Sequence, residues 1–143
     1  MGDIGDKIKK FLKLDLKKEV IKILNTKKVQ DFVVEMQQER LFNTGKDSKG
    51  ESLGTYAPFT VVIKQAKGQR TDHITLRDTG EFYESFTFYA TNTELVFDAD
   101  AQKDEDNLFE NFGLDIIGLN DFNRTRLIEL IYVELRFFLL FKL

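Results

Sequence analysis

Apolar residues recur at every second position on both sides of a short break at Asn92-Thr93. Alternation of this kind in aromatic and β-branched residues, around a two-residue break that contains Asn, predicts a β-hairpin over about residues 86–98. Because aromatic residues fall on both faces of the first strand, we expect this strand to pack on both sides. The alternating apolar positions are Phe86, Phe88 and Ala90 before the break, and Leu95 and Phe97 after it.

Helical spacing dominates the two ends of the chain. Residues 4–24 repeat apolar positions at steps of three and four with Lys between them, which predicts one amphipathic helix. Asn25-Thr26 interrupts this pattern and can cap a second helix over about 27–42. A long final helix over about 121–141 is expected, with Asn120 or Asp121 as its cap.

These elements predict an α+β fold with a small antiparallel sheet built on the hairpin of about residues 86–98. N-terminal helices and a long C-terminal helix flank this sheet. A length of 143 residues corresponds to one domain. We divide it into a helical N-terminal part (1–42), an α+β core (43–119) and a C-terminal helix (120–143).

The core between these parts contains shorter signals. Residues 43–56 are rich in Gly and polar residues and are expected to form a loop. Residues 55–67 are predicted as a short helix that starts near Pro58, although three β-branched residues keep a strand open as an alternative. The segment 73–76 is interpreted as a short strand, and 106–113 as a short helix that Gly113 ends.

Charge is distributed unevenly along a chain whose net charge is −3. Residues 1–28 hold nine Lys and four acids, whereas 78–115 hold eleven acids and, as a Lys, only Lys103. A basic end and an acidic middle suggest electrostatic complementarity, either within the fold or between copies. Solvated faces of a soluble protein are the alternative interpretation.

The composition leaves little room for catalytic or metal chemistry. The chain has no Cys and one His, so a disulfide framework and a thiolate zinc site are excluded. The acidic segment 98–106 is interpreted as a solvated loop and not as a calcium site, because Lys103 and Phe109 stand where an EF-hand loop counted from Asp98 needs Gly and Glu. Gly45-Lys46 lacks the spacing of a phosphate-binding loop. We therefore expect no catalytic residue, no cofactor and no metal.

Asp78-Thr79-Gly80 has the spelling of half an aspartic-protease site. Such an enzyme needs two facing carboxylates, and no second copy of the tripeptide exists in the chain. A capped turn that leads into a short helical segment is favoured instead. A small hydrolase that uses Asp78 or His73 remains the enzymatic alternative.

The two ends of the chain also raise the question of surfaces. The apolar run near residue 140 is too short to span a membrane and carries charged residues, and no secretory signal is visible. This tail is apolar nearly all round, so we expect it to be buried against another element or another chain. The Lys-rich N-terminal helix can lie on a membrane or on nucleic acid, but packing or subunit contact is favoured.

Several short motifs follow one another along the chain in an order that resembles a known protein family. They are Gly45-Lys46-Asp47, Gly50, Leu53-Gly54, Tyr56-Ala57-Pro58, Thr60 and Lys64, then Leu76-Arg77-Asp78-Thr79-Gly80, Phe82 and Ser85-Phe86, then Phe109 and Phe112-Gly113. Over about residues 40–130 the chain resembles the tail-completion, virion-morphogenesis and head–tail connector (neck) proteins of tailed bacteriophages. Tyr56 stands where that family often has Trp, and Phe82 where it usually has Leu.

The resemblance implies a non-catalytic building block of the virion, assembled in the host cytoplasm. Copies would form a ring at the neck or upper tail, in contact with portal or connector and tail proteins. Genome DNA would pass through the ring without specific binding, and no membrane partner is expected. Candidate contacts with copies or partners are Thr79, Gly80, Phe82, Ser85, Phe109, Phe112, Gly113, Phe137, Phe138 and Phe141.

Overall fold

The computed structural model describes residues 3–142. Met1 and Gly2 of the predicted N-terminal part, and Leu143 of the predicted C-terminal helix, lie outside the described residues. Mixed helices and short antiparallel strands confirm the α+β prediction. The helices are α1 (Ile4–Leu12), α2 (Leu16–Leu24), α3 (Lys27–Thr44), α4 (Pro58–Ala66), α5 (Glu81–Glu84), α6 (Leu108–Phe112) and α7 (Asp121–Phe141), with a 3₁₀ turn at Leu114–Ile116. The strands are β1 (Thr87–Ala90), β2 (Leu95–Asp98), β3 (Gln102–Lys103) and β4 (Asp106–Asn107).

The predicted hairpin is formed by β1 and β2, which pair with Phe88 opposite Phe97 and Ala90 opposite Leu95. The N–H of Thr91 donates to the carbonyl of Glu94 at 2.8 Å, which places Asn92-Thr93 at the tip as expected. Phe88 and Ala90 are buried, but Tyr89 on the opposite face is half-exposed. The expectation that the strand packs on both sides is therefore wrong for β1.

Two apolar clusters make up the core, and α3 contributes to both. In the first, the N-terminal half of α3 packs with α2, α7 and the buried face of the hairpin. In the second, Leu41 near the end of α3 packs with aromatic residues of α5 and with α6. α3 thus packs against the hairpin with its N-terminal half and against apolar residues of the 99–117 segment with its C-terminal half.

The N-terminal helix prediction is wrong in one respect, because residues 4–24 form two helices. α1 ends at Leu12, and Asp15 begins α2 by accepting a hydrogen bond from the N–H of Lys18 at 3.2 Å. The apolar period continues in phase across this break, so hydrophobic spacing could not reveal it. A local N-cap overrides the pattern here.

Other boundaries follow the predicted caps. Thr26 caps α3 and Asn120 caps α7, and α4 begins at Pro58 as a helix and not as a strand. α6 ends before Gly113, whose φ of 88° is a conformation that glycine adopts without strain. Across residues 3–142, no helix combines the length and the apolar character needed to cross a membrane.

Two expectations in the middle of the chain are corrected. Residues 73–76 do not form a strand: the N–H of Thr75 donates to the hydroxyl of Tyr56, and Leu76 has a φ of 57°. The acidic segment expected to be a loop contains the small β3–β4 hairpin, in which Gln102 lies opposite Asn107. Period-two counting detects neither arrangement, because the Thr75 bond depends on the distant Tyr56 and β3 and β4 are only two residues long.

Candidate functional site

The clearest unpartnered apolar surface lies on the C-terminal half of α7. Val133, Phe137, Leu140 and Phe141 follow the spacing of one helix face and are between 50% and 72% exposed. We call these four residues the C-terminal stripe. The rings of Phe137 and Phe141 are 5.0 Å apart, whereas Phe138 is half-buried. Within the described residues, the tail is therefore not buried against another element, although that was one of the two expectations.

A second apolar surface is a groove of about 290 Å³ between β2 and α7. Buried side chains form its floor, and half-exposed Leu95 and Ile128 form its opposite walls. We call it the hairpin groove, lined by Leu24, Leu95, Phe97, Leu119, Arg124, Leu127, Ile128 and Ile131. It is a concave apolar site of the kind that accepts apolar side chains from a partner.

The third surface is α1. Its apolar residues Ile4, Ile8, Phe11 and Leu12 are 47% to 79% exposed, and no residue of this helix is buried among the described residues. Lys7, Lys9, Lys10 and Lys13 occupy the intervening positions. Covering the apolar face of such a short amphipathic helix is favourable, because it removes apolar surface from water.

The candidate contacts around α5 serve mainly intramolecular packing. Gly80 and Phe82 are buried, and the Phe82 ring meets Phe86 edge to face at 4.8 Å. The Ser85 hydroxyl donates to the carbonyl of Phe82 at 2.6 Å and accepts from the N–H of Asp100 at 2.9 Å. Thr79 is exposed, so this segment offers a partner the surface of Thr79 and the edge of Ser85.

α6 brings its candidate contacts to the same apolar cluster as α5. Phe109 and Phe112 are half-buried and pack against the second apolar cluster. Gly113 is exposed, and its N–H donates to the carbonyl of Phe109 at 2.8 Å. The remaining three predicted contacts, Phe137, Phe138 and Phe141, belong to α7, which packs in the first cluster. The structure thus distributes the ten predicted contacts over three elements.

Asp78 is fully engaged in ion pairs and hydrogen bonds. Lys67 Nζ and Gln69 Nε2 each donate to its Oδ1 at 3.1 Å, and Lys103 Nζ donates to Oδ2 at 3.3 Å. The Gln69 hydrogen bond, followed by the two lysines, holds the pKa of this carboxyl well below its usual range. Asp78 therefore ties the end of α4 to β3 as an ionised group.

Both ring nitrogens of the single histidine, His73, are also engaged in structural interactions. His73 Nε2 lies 2.7 Å from the carbonyl oxygen of Phe42, and Nδ1 lies 3.3 Å from Asp72. Arg70 donates to both oxygens of Asp72, and its hydrogen bonds lower the pKa of Asp72 to about 2. Because acceptors occupy both ring nitrogens of His73, neither is positioned to take a proton from a substrate.

Arg40 is an organising residue that the sequence interpretation missed. Its guanidinium is buried and donates to the carbonyls of Lys46, Ile116 and Gly118 at 2.6–3.2 Å. Burial lowers the pKa of Arg40 to about 10. Arg40 falls on the same face of α3 as Val29, Val33 and Met36. A charged residue at an otherwise apolar position of the helix could therefore have identified it from the sequence.

Metal chemistry receives no support from the described residues. Within residues 3–142, no group of three or more His, Asp or Glu side chains lies close enough to hold a metal ion.

Comparison with protein-family models, with curated proteins and with solved structures gives no match to this chain. The candidate site consists of the three exposed apolar surfaces, which are the C-terminal stripe, the hairpin groove and α1.

Proposed function

We propose that this protein is a structural, non-catalytic subunit of a tailed-bacteriophage virion, whose copies form a ring at the neck or upper tail. The ring joins portal or connector to tail proteins and lets genome DNA pass. The observation that carries this proposal is the C-terminal stripe, a run of large apolar side chains left in water along one helix face. The phage assignment itself rests on the resemblance over about residues 40–130.

Exposed apolar area is the physical reason to expect assembly. Each Å² of apolar surface removed from water contributes about 25 cal/mol, and soluble monomers rarely expose a contiguous apolar patch larger than a few hundred Å². The stripe combines two phenylalanine rings in tilted contact with two aliphatic side chains on a well-formed helix. A partner that covers this face gains the contribution of all four side chains together.

The charge distribution supports a head-to-tail arrangement of copies. A closed ring built from heterologous contacts uses two different patches on each copy. α1 carries a basic surface, whereas residues 98–106 carry exposed acids in and beside the β3–β4 hairpin. Opposite charge on two separate patches of one chain favours contact between copies in one orientation.

The interactions of Asp78 and His73, the two side chains considered for catalysis, support a role without catalysis. Asp78 is paired with Lys67 and Lys103, and both nitrogens of His73 face acceptors. A nucleophile–base pair needs one partner that is free to accept the proton in a cleft that receives substrate. The two described cavities lie elsewhere, one beside the start of α7 and one at the hairpin groove.

Passage of DNA through the ring would be favoured by an acidic lining. Glu81, Glu84 and the acids of residues 98–106 are exposed, and carboxylates that face the lumen would repel phosphate. This part of the proposal predicts that the acidic residues point inward in an assembled ring.

A nucleic-acid- or membrane-binding module is the second candidate, and exposure of α1 favours it. Its apolar face and its lysines are both free, as in helices that lie on an anionic surface. Binding of the chain to heparin or to anionic vesicles that falls steeply with salt, and disappears when residues 3–13 are deleted, would support this candidate over the ring.

The ring is tested by light scattering on the intact chain over a range of concentrations, followed by negative-stain electron microscopy. We expect closed oligomers with a central opening. A chain that remains monomeric at every concentration, both alone and when co-expressed with portal and tail proteins, would contradict the proposal. A hydrolytic activity that Asp78→Asn abolishes would also contradict it.

A further inference from the structure

We infer that the hairpin groove of one copy receives α1 of the neighbouring copy, and this inference rests on the proposed ring. The chain presents both an uncovered amphipathic helix and an uncovered apolar groove of its own. A contact between these two unlike surfaces is heterologous, so it propagates from copy to copy and closes a ring when the rotation permits.

The apolar surfaces of the two partners match in character. Ile8 and Phe11 lie on one face of α1 and are about half exposed. The groove presents Leu95 and Ile128 as its walls, also about half exposed, above buried Leu24 and Leu127. Seating an aromatic and a β-branched side chain between these walls would remove apolar surface from water on both sides.

Charge favours the groove over the other apolar surface of this chain. Exposed Glu94 and Asp98 flank the groove residues of β2, and they carry the sign opposite to the lysines of α1. Arg124 is the one cation that lines the groove among the described residues. Beside the C-terminal stripe, Arg136 is the neighbour of Phe137 along α7 and Lys142 lies over the Phe137 ring, so these two cations disfavour a lysine-rich helix there.

The position of α1 favours a neighbouring copy over its own chain. α1 joins the N-terminal end of α2, whereas the groove contains Leu24, the last residue of α2. A nine-residue helix such as α2 spans about 13 Å. Reaching its own groove would require α1 to reverse at residues 13–15 and run back along α2, whereas none of its residues is buried in the described structure.

Disulfide trapping tests the contact directly, because the chain has no native Cys. Ile8→Cys and Ile128→Cys variants are prepared separately, mixed and oxidised. We expect a cross-linked species of two chains that forms in the mixture and not in either variant alone. Gln65→Cys, at an exposed position of α4, replaces Ile128→Cys in the control mixture and should give no cross-link. Equal cross-linking in both mixtures overturns the inference.

Substitutions measure the strength of the same contact. Phe11→Asp and Ile128→Asp change exposed side chains, so folding should be retained, and each should weaken association at least tenfold, about 1.4 kcal/mol. Because both substitutions remove the same contact, the double variant should associate only slightly more weakly than either single variant. Glu94→Lys with Asp98→Lys should weaken association as well, whereas Glu35→Lys with Glu51→Lys, at two exposed acids outside every proposed contact, serves as the charge-matched control.

The outcomes separate this inference from the proposed function. If rings form and the Phe11 and Ile128 variants leave them unchanged, the inference is wrong and the ring stands. If no oligomer forms at all, both are wrong. If Phe11→Asp abolishes binding to vesicles of anionic lipid but leaves the oligomer intact, α1 serves a lipid surface and the groove contact is overturned.

Discussion

Asn25 forms two reciprocal hydrogen bonds with the backbone of Ala90. Its Nδ2 donates to the Ala90 carbonyl at 2.9 Å, and the Ala90 N–H donates to its Oδ1 at 2.8 Å. The side chain therefore occupies the edge of β1 that faces away from β2, where another strand would otherwise pair. In this way the turn between α2 and α3 holds the hairpin against the helices.

Asn25→Ala should destabilise the fold by about 2 kcal/mol, because the buried backbone groups of Ala90 lose both partners. The measurement is urea unfolding followed by circular dichroism, with the shift in midpoint at constant slope as the readout. Asn111→Ala is the matched control at an exposed helical position, and it should change stability by less than about 0.5 kcal/mol. Equal effects of the two substitutions would show that the Asn25 bonds contribute nothing.

Gly45 lies directly against His73 at the end of α3. Its φ is 60°, and a Cβ at this position would lie 2.6 Å from Cδ2 of the imidazole ring. Gly45→Ala therefore combines backbone strain with a collision, and we expect a loss of about 3 kcal/mol. Thermal unfolding of the variant against the parent chain gives the difference.

Gly50→Ala separates these two causes. Gly50 has a φ of 83°, but a Cβ there would meet no atom within 4 Å, so strain alone should cost about 1 kcal/mol. Adding His73→Ala to Gly45→Ala should recover part of the loss by removing the ring. A Gly45 variant no less stable than the Gly50 variant would contradict the collision.

Asp78 should make stability depend on pH in the acid range. Its pKa is depressed below the ordinary value of 3.8 by Gln69, Lys67 and Lys103, so the native state binds fewer protons than the unfolded state near that pH. The resulting stabilisation is present above pH 3.8 and is lost as pH falls toward the lower native pKa. Since the side chain is partly exposed, we expect a contribution of about 1 kcal/mol at neutral pH.

Asp78→Asn tests this dependence by urea unfolding at several pH values. The difference in stability from the parent chain should be largest at neutral pH and should shrink as pH falls below 3.8. Asp104→Asn, which changes an exposed carboxylate outside the ion pairs of the described residues, should show no such trend. A constant difference for Asp78→Asn at every pH would mean that its charge is not what stabilises the fold.

Features that depend on neighbouring residues in the chain were predictable. The hairpin, the caps at Thr26 and Asn120, and the end of α6 at Gly113 each follow from local periodicity or from a side chain that satisfies free backbone groups. The choice of helix for α4 depended on Pro58 at its first turn, which outweighed the β-branched residues that follow.

Features that depend on distant partners were not predictable. The expected strand at 73–76 has no strand to pair with, because the Tyr56 hydroxyl takes the N–H of Thr75. The role of Arg40 depends on carbonyls from residues 46, 116 and 118, which no local pattern relates to α3. The hairpin groove likewise combines β2 with α7, and only the fold places these two elements together.

The C-terminal stripe should drive assembly through apolar contact. The rings of Phe137 and Phe141 contact each other at a tilt of 44° and remain at least half exposed, so a partner can cover both rings at once. Phe137→Asp should weaken association at least tenfold, about 1.4 kcal/mol, because a carboxylate would have to be desolvated in the contact. Folding should be unaffected, since the side chain contributes little to the described core. Light scattering across concentrations measures the oligomer, with circular dichroism as the folding check.

Thr125→Asp, at an exposed position on the N-terminal half of the same helix, is the matched control. An oligomer that persists unchanged in Phe137→Asp would mean that the stripe serves a different partner or none.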